Sequence, residues 1–318
     1  MRAIPLLTLL LGGWFVVPAH ADEAQDWLTR LGQAEQQQSF HGTFVYERSG
    51  SFSTHNIWHL VQDGKVRERL LQLDGSAQEV VRIDGRTQCV SGILIAGLGD
   101  SPSSAARALD PQKLKNWYDL AVIGKSRVAG RAAVIVSLKP RDQHRYGFEL
   151  HLDKETGLPL KSLLLNERGQ LLERFQFTRL DTADVPSDRD LQPGPDCKTI
   201  ALDSDKASAI KSAQVWRSDW LPPGFELASS TSRKDPETKT QVNSLMYDDG
   251  LARFSVFLEP LNGATITDTR TQLGPTAAVS RRLTTPQGEM MVTVVGEIPI
   301  GTAERIALSM RSDATATK

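Results

Sequence analysis

FHGTFVYER, residues 40–48, alternates with a period of two: Phe40, Gly42, Phe44 and Tyr46 share one face. LLERFQFTR, residues 171–179, repeats the pattern, with Leu171, Phe175 and Phe177 on one face and Arg174, Gln176 and Thr178 on the other. Alternation of this kind marks an antiparallel sheet that is covered on one side and wet on the other. Working outward, Asp-Gly pairs at 63–64, 74–75 and 84–85 separate short apolar-rich runs. Asp-Gly supplies the positive φ angles of a tight hairpin, so residues 40–92 read as a meander of about five strands. Further strands are expected at 121–127, 131–138, 145–152, 158–165 and 170–179. About ten strands are too many for a flat sheet and require strong curvature.

Two helices accompany this sheet. Trp27, Leu28, Leu31 and Ala34 fall at helical spacing in AQDWLTRLGQAEQQ. PQKLKNWYD, residues 111–119, reads as a second helix with Pro111 in its first turn. Residues 181–200 then lose the alternation and hold three prolines and five aspartates. A linker is therefore placed at 181–212, between a unit at 22–180 and a second unit at 213–318. Strands are expected in the second unit at 225–232, 241–247, 251–259, 277–284 and 289–296. A closing helix is expected at about 302–311, with Thr302 as its cap. The fold class is α+β: a large curved antiparallel sheet with helices, then a small sheet with one helix.

The amino terminus gives an address. Arg2, the apolar run IPLLTLLLGGWFVV (4–17) and PAHA (18–21) form a secretory signal peptide, residues 1–21. The apolar run is short for a permanent span of about 30 Å of hydrocarbon. Removing Arg2 with the signal leaves 36 basic and 38 acidic residues, from 37 and 38. A net charge of −2 argues against a nucleic-acid partner. Export also removes the supply of nucleotide cofactors. Two cysteines remain, Cys89 and Cys197. An oxidising compartment permits a bridge, worth about 4–5 kcal/mol in the chain-entropy model; two separate thiols are the alternative.

Catalytic constellations are not found. His55 and His59 mimic a helical HxxxH pair, but on a strand they lie about 13 Å apart, too far to share one ion. They are expected to be solvated, and no metal is expected. There is no G-x-S-x-G, LGDSP (98–102) lacks partner residues, and Gly97 and Gly99 lack the third glycine of a dinucleotide loop. Without enzyme chemistry or a cofactor, the reading is an exported binding protein. Phe40, Phe44, Tyr46, Phe175 and Phe177 line the concave face, either as an acyl-chain pocket or as ordinary core beneath the 111–119 helix.

SFHGTFVYERSG, KVRERLLQLDGSAQEVVRIDG and TQCVSG, followed by WLPPGFEL, MYDDGLARFSVFLEP and VTVVGEIPIGTAERIALSM, resemble the MucB/RseB family of periplasmic regulators. The resemblance runs in order from about residue 24 to 311. It implies a first domain like the LolA/LolB lipoprotein carriers, location in the periplasm, and binding to the periplasmic part of a transmembrane anti-sigma factor. It further implies protection of that factor from proteolysis, release by lipid or lipopolysaccharide, control of envelope stress and alginate, and homo-oligomers. Leu221, Phe225 and Phe257 are the apolar candidates for partner contact. Arg67, Arg69 and Arg82 could pair with a partner's acids or a lipid's phosphates, or be solvated strand faces. A lipid or lipoprotein carrier without a regulatory partner is the alternative. The exported polypeptide is expected to begin at Asp22. N-terminal sequencing checks this, and an exported chain still carrying Met1 would refute it.

Overall fold

A computed structural model describes residues 19–76, 78–91, 109–199, 214–234, 240–263, 267–286 and 288–314. The signal sequence before Ala19, the LGDSP string, Gly97 and Gly99, residues 200–212 of the linker, and residue 213 lie outside the described residues. The chain opens with helix α1 (Ala19–Gln37). Strands β1 (Phe40–Arg48), β2 (Ser51–Gln62), β3 (Lys65–Gln72), β4 (Glu79–Ile83) and β5 (Arg86–Ser91) follow. Helix α2 (Pro111–Leu114) precedes β6 (Tyr118–Val128), β7 (Arg131–Pro140), β8 (Gly147–Asp153), β9 (Pro159–Leu165) and β10 (Leu171–Asp181). A short β11 (Lys198–Thr199) completes one curved antiparallel sheet in the order β11-β5-β4-β3-β2-β1-β10-β9-β8-β7-β6. The sheet is open, with β11 and β6 at its edges.

Two of the three Asp-Gly hairpins form as the turn chemistry requires; at 74–75 only Gly75 is left-handed, at φ 67°, because a longer connection joins β3 at Gln72 to β4 at Glu79. Asp63 and Gly64 have φ of 52° and 72°, and Asp84 and Gly85 of 49° and 76°. Both central residues are left-handed, which matches the twist of the flanking strands. The centre of the sheet is different, because β1 and β10 are distant in sequence. Their register sets Phe44 opposite Phe177 and Tyr46 opposite Phe175, with an irregularity between Thr43 and Phe44. Gly42 is needed at this seam. A Cβ there would lie 2.4 Å from the Arg179 carbonyl oxygen and 2.8 Å from Phe177 Cε1.

Two aspects of the first unit differ from the sequence reading. The 111–119 helix is a single turn, α2, because Tyr118 already begins β6. Asp110 caps it, its carboxylate accepting from the Gln112 and Lys113 amides at 3.0 and 3.3 Å. The cover on the concave face is instead α1, whose Ala24, Trp27, Leu28 and Leu31 pack with Leu114, Tyr118, Leu120 and Val136. Ala34, one turn further on, belongs to the aromatic cluster of β1 and β10.

Residues 182–197 run along the outer face of β3–β5. Arg67 pairs with Asp188, Arg69 donates to the Asp190 carbonyl at 3.0 Å, and the Gly194 amide donates to Glu79 at 2.9 Å. Cys197 is bonded to Cys89, with Cα atoms 5.5 Å apart, and β11 then pairs with β5.

The second unit contains β12 (Gln214–Ser218), β13 (Glu226–Lys234), β14 (Gln241–Asp248), β15 (Arg253–Pro260), β16 (Thr269–Leu273), β17 (Thr276–Thr285) and β18 (Gly288–Gly296). Helix α3 (Ile300–Ser309) and β19 (Met310–Ala314) close it. Six strands form a sheet ordered β13-β14-β15-β18-β17-β16, and β12 pairs with β19. Phe254, Val256 and Leu258 share one face of β15 and pack with Val292 and Val294 against Ile306 of α3. Thr302 does not cap α3. The helix starts after Pro299, and Thr302 is buried within it.

The seam predicts a contrast in stability. Phe177→Ala should cost about 3–5 kcal/mol, the range for emptying a packed aromatic site. Phe52→Ala, at a side chain 64 % exposed, should stay within about 0.5 kcal/mol. Urea denaturation of the two variants measures both.

Candidate functional site

The candidate site spans three groups of residues: the aromatic wall inside the first sheet, the polar groups beside it, and the junction between the two units. The wall joins all five residues singled out in the sequence. Phe40, Phe44, Phe175 and Phe177 are buried and Tyr46 is partly buried. Phe44 lies 4.6 Å from Phe175 and 5.9 Å from Phe177, and Phe40 meets Phe177 edge-on at 6.2 Å. Such edge and tilted contacts suit the ring quadrupoles. Leu70, Val80, Leu158, Leu160 and Leu180 complete the cluster with Ala34 of α1.

The histidines expected to be solvated are not. His55 and His59 have 0 % and 1 % exposure, because β2 turns them inward beside β1. His55 stacks on Phe44 at 5.1 Å and bonds Ser53 through Nε2 at 2.8 Å. His59 stacks on Phe40 at 4.7 Å, its Nδ1 meeting Glu68 at 3.0 Å and its Nε2 the Glu35 carbonyl at 2.8 Å. Register places Arg82 directly opposite Glu68, and Arg82 is likewise buried. Among the described residues no group of three His, Cys, Asp or Glu is arranged to hold a metal.

Arg67 and Arg69, by contrast, lie on the outer face of β3, holding the 187–194 segment. The three arginines of the sequence reading therefore occupy two faces. The three apolar candidates are also separated. Phe225 is buried against Phe254 at 5.1 Å, Leu221 is half-buried against the same core, and Phe257 sits on the opposite face of the second sheet at 37 % exposure.

At its far end the aromatic wall turns polar and reaches the second unit. The Tyr46 phenol faces Glu173; desolvation, reinforced by that carboxylate, pushes its pKa far up, and burial raises Glu173 as well. Arg48, next on the same face of β1, approaches Glu173 at 3.8 Å and Glu297 at 3.6 Å and bonds Thr276.

The larger contact centres on the turn 141–146 between β7 and β8; Arg145 and Tyr146, expected to open a strand at 145–152, lie instead in this turn, because β8 begins at Gly147. Arg145 has a side chain with 0 % exposure. Its Nε and Nη2 fork onto Asp142 at 3.2 and 2.9 Å, and its Nη1 donates to Asp249 at 2.5 Å. Nη2 also donates to the Pro223 carbonyl. The guanidinium lies over Phe225, Tyr118 and Trp117, 5.1–5.8 Å from each ring centre. Tyr118 donates to Asp249 at 3.3 Å. Neighbouring His144 meets Thr302 at 3.1 Å and Trp220 edge-on at 5.0 Å. Asp249 is a turn residue before Gly250: its Oδ1 accepts from the Leu251 and Ala252 amides. Its second oxygen serves the junction. Burial raises the Asp249 carboxyl above the usual carboxylate range, against the pull of Arg145 and the two amides.

A chain of two separately cored sheets, joined by a buried ionic contact, matches known sequences along its length. The MucB/RseB N-terminal domain covers residues 23–195 and the MucB/RseB C-terminal domain residues 210–311. The chain belongs to the MucB/RseB family. A sigma factor AlgU regulatory protein of Pseudomonas aeruginosa is 61 % identical over 320 residues, covering 100 % of both chains. A sigma-E factor regulatory protein of Haemophilus influenzae is 27 % identical, covering 98 % of this chain and 99 % of the relative. Among solved structures, MucB crystallised in complex with MucA(peri) shares 60 % identity at a TM-score of 0.78, over 92 % of this chain and 100 % of that one. MucB alone gives 58 % and 0.70, over 92 % and 98 %. The family is one of regulatory proteins. Among the described residues no helix is long and apolar enough to cross a membrane.

Within this MucB/RseB chain, His55 carries a pH signature. Burial lowers its pKa from 6.5 to about 4, opposed by Asp74. The unfolded chain therefore binds a proton that the folded chain refuses, and stability present above pH 6.5 is lost as pH falls toward 4. His144 and His151 are lowered by burial in the same direction. Replacing His55 with Phe should flatten the acid limb of stability against pH between 6.5 and 4. Denaturant titrations across that window measure it, and an unchanged limb would show that His55 does not contribute.

Proposed function

We propose that the chain is a periplasmic negative regulator. It binds the periplasmic segment of a transmembrane anti-sigma factor, shields that segment from regulated proteolysis, and lets go when a lipid or lipopolysaccharide signal arrives. The observation that carries this reading is the full-length likeness to a sigma factor regulatory protein, together with a 60 % identical structure described as a complex with MucA(peri). The partner is therefore expected to be the equivalent segment of a MucA-like protein.

The lipid arm of the reading is supported by the aromatic wall. Phe40, Phe44, Phe175 and Phe177 form a continuous apolar surface inside an open sheet. In this structure the wall is packed against α1 and the flanking strands. An acyl chain would reach it by displacing that cover, so lipid entry and a change of conformation would go together.

A retention assay tests both arms. The immobilised periplasmic segment of the anti-sigma factor is offered the mature chain, with and without lipopolysaccharide. Retention is expected without lipid and loss of retention with it. No retention in either condition would overturn the proposal; retention that lipid leaves untouched would remove the lipid signal.

A further inference from the structure

Among the described residues Arg145 is a fully buried charge of the largest side-chain class, and its partners are divided between the two units. Asp142 stands on its own turn, whereas Asp249 and the Pro223 carbonyl stand on the second unit. A fully buried ion pair adds little net stability, but breaking it is costly, because the remaining charge is stranded away from water. Here the stranded charge has an escape. Each side of the junction has its own apolar core, one around Leu28, Tyr118 and Val136 and one around Phe254, Val256 and Ile306. Half-buried Leu251 of the second unit packs on the first core, so opening the junction would expose that contact and hydrate the charge while both cores stay otherwise whole.

The remaining polar contacts are weaker restraints. Arg48, 19 % exposed, bonds Thr276 and approaches the 44 % exposed Glu297 at 3.6 Å, and Lys113 meets Glu226 at 3.7 Å with both side chains exposed. Exposed pairs of this kind hold little. The latched arrangement requires glycine at 224, since a Cβ there would lie 2.2 Å from Trp117 Cε2. Beside the junction runs a cleft of about 560 Å³, lined by Lys113, Trp117, Glu226, Leu227 and Gly250. Its walls come from both units, so its width follows their separation.

We infer that Arg145 is a latch: it holds the two domains in one relative placement, and its release lets them part as intact units. Resting on the function proposed above, the same latch sets whether both domains can engage one anti-sigma segment together.

Small-angle scattering of the full mature chain tests the latch without any partner. Arg145→Met removes the cation, and Asp249→Asn keeps the carboxylate's shape while removing its charge. Both variants should show a larger radius of gyration and maximum dimension than the unaltered chain, with an unchanged far-ultraviolet dichroism spectrum. Lys113→Ala, in the exposed contact with Glu226, should leave the envelope unchanged. Envelopes unchanged in both latch variants would overturn the inference. Loss of the sheet signal in either would also overturn it, because each domain is held to survive release. The retention assay is read separately. An unaltered chain that fails to bind the anti-sigma segment sinks the functional reading and leaves the scattering result standing.

Discussion

The pairing of β1 with β10 is the constraint on which the first domain depends. From β1 to β5 and from β6 to β10, each strand is hydrogen-bonded to its neighbour in sequence through a local connection. Those two meanders become one sheet only when strands some 130 residues apart, Phe44 and Phe177 among them, come into register. Closing so long a loop is slow and entropically costly, and the contact that rewards it must be strong. The aromatic side chains are concentrated on those two strands, where cross-strand ring contacts and complete burial coincide. Gly42 belongs to the same solution, because the backbone of β10 and the Phe177 ring approach where a side chain would otherwise stand.

A second long-range tie secures the far edge. The segment after β10 returns across the outer face of β3–β5 and is fastened by Arg67, Arg69, Glu79 and the Cys89–Cys197 bond. The sheet edge that β5 would present is thereby occupied by β11. Covering an edge in this way removes a template for pairing with other chains. The arginines on that face are thus engaged within the chain, which alters how their charge is available to any partner.

Much of the fold was legible because its determinants are local. The Asp-Gly turns, the period-two faces of 40–48 and 253–260, and the apolar stripe of α1 each declare themselves within a dozen residues. What was illegible depends on distant neighbours. Thr269–Leu273 is exposed throughout and has no apolar face to announce a strand; it is ordered by pairing with β17. The β12–β19 pair joins segments about 96 residues apart, Trp216 opposite Ser312. His55 and His59 looked like solvent-facing polar residues, and only the curvature of the sheet and the stacking of Phe40 and Phe44 show them to be interior. Arg145 and Asp249 are ordinary loop and turn residues until the two domains are brought together. The aromatic candidates were found from alternation alone; the junction could not be, since its chemistry exists in neither half.

The helix that covers the wall also braces the latch. Ala34 of α1 packs in the aromatic cluster, and Ala24, Leu28 and Leu31 of the same helix pack with Leu114 and Tyr118. Tyr118 is fully buried and donates its hydroxyl to Asp249, the carboxylate that holds Arg145. Burying a twelve-carbon acyl chain would contribute about 10 kcal/mol at about 0.8 kcal/mol per methylene. That is of the same order as the stability of a whole domain, about 5–15 kcal/mol, and ample to displace one helix from its bed. A ligand entering beneath α1 would therefore compete with the packing that positions Tyr118, and withdrawing Tyr118 removes a donor from a carboxylate that burial already disfavours. The aromatic wall and the junction are separate clusters that share one amphipathic helix, whose Ala34 packs in the first and whose Ala24, Leu28 and Leu31 pack beside the second.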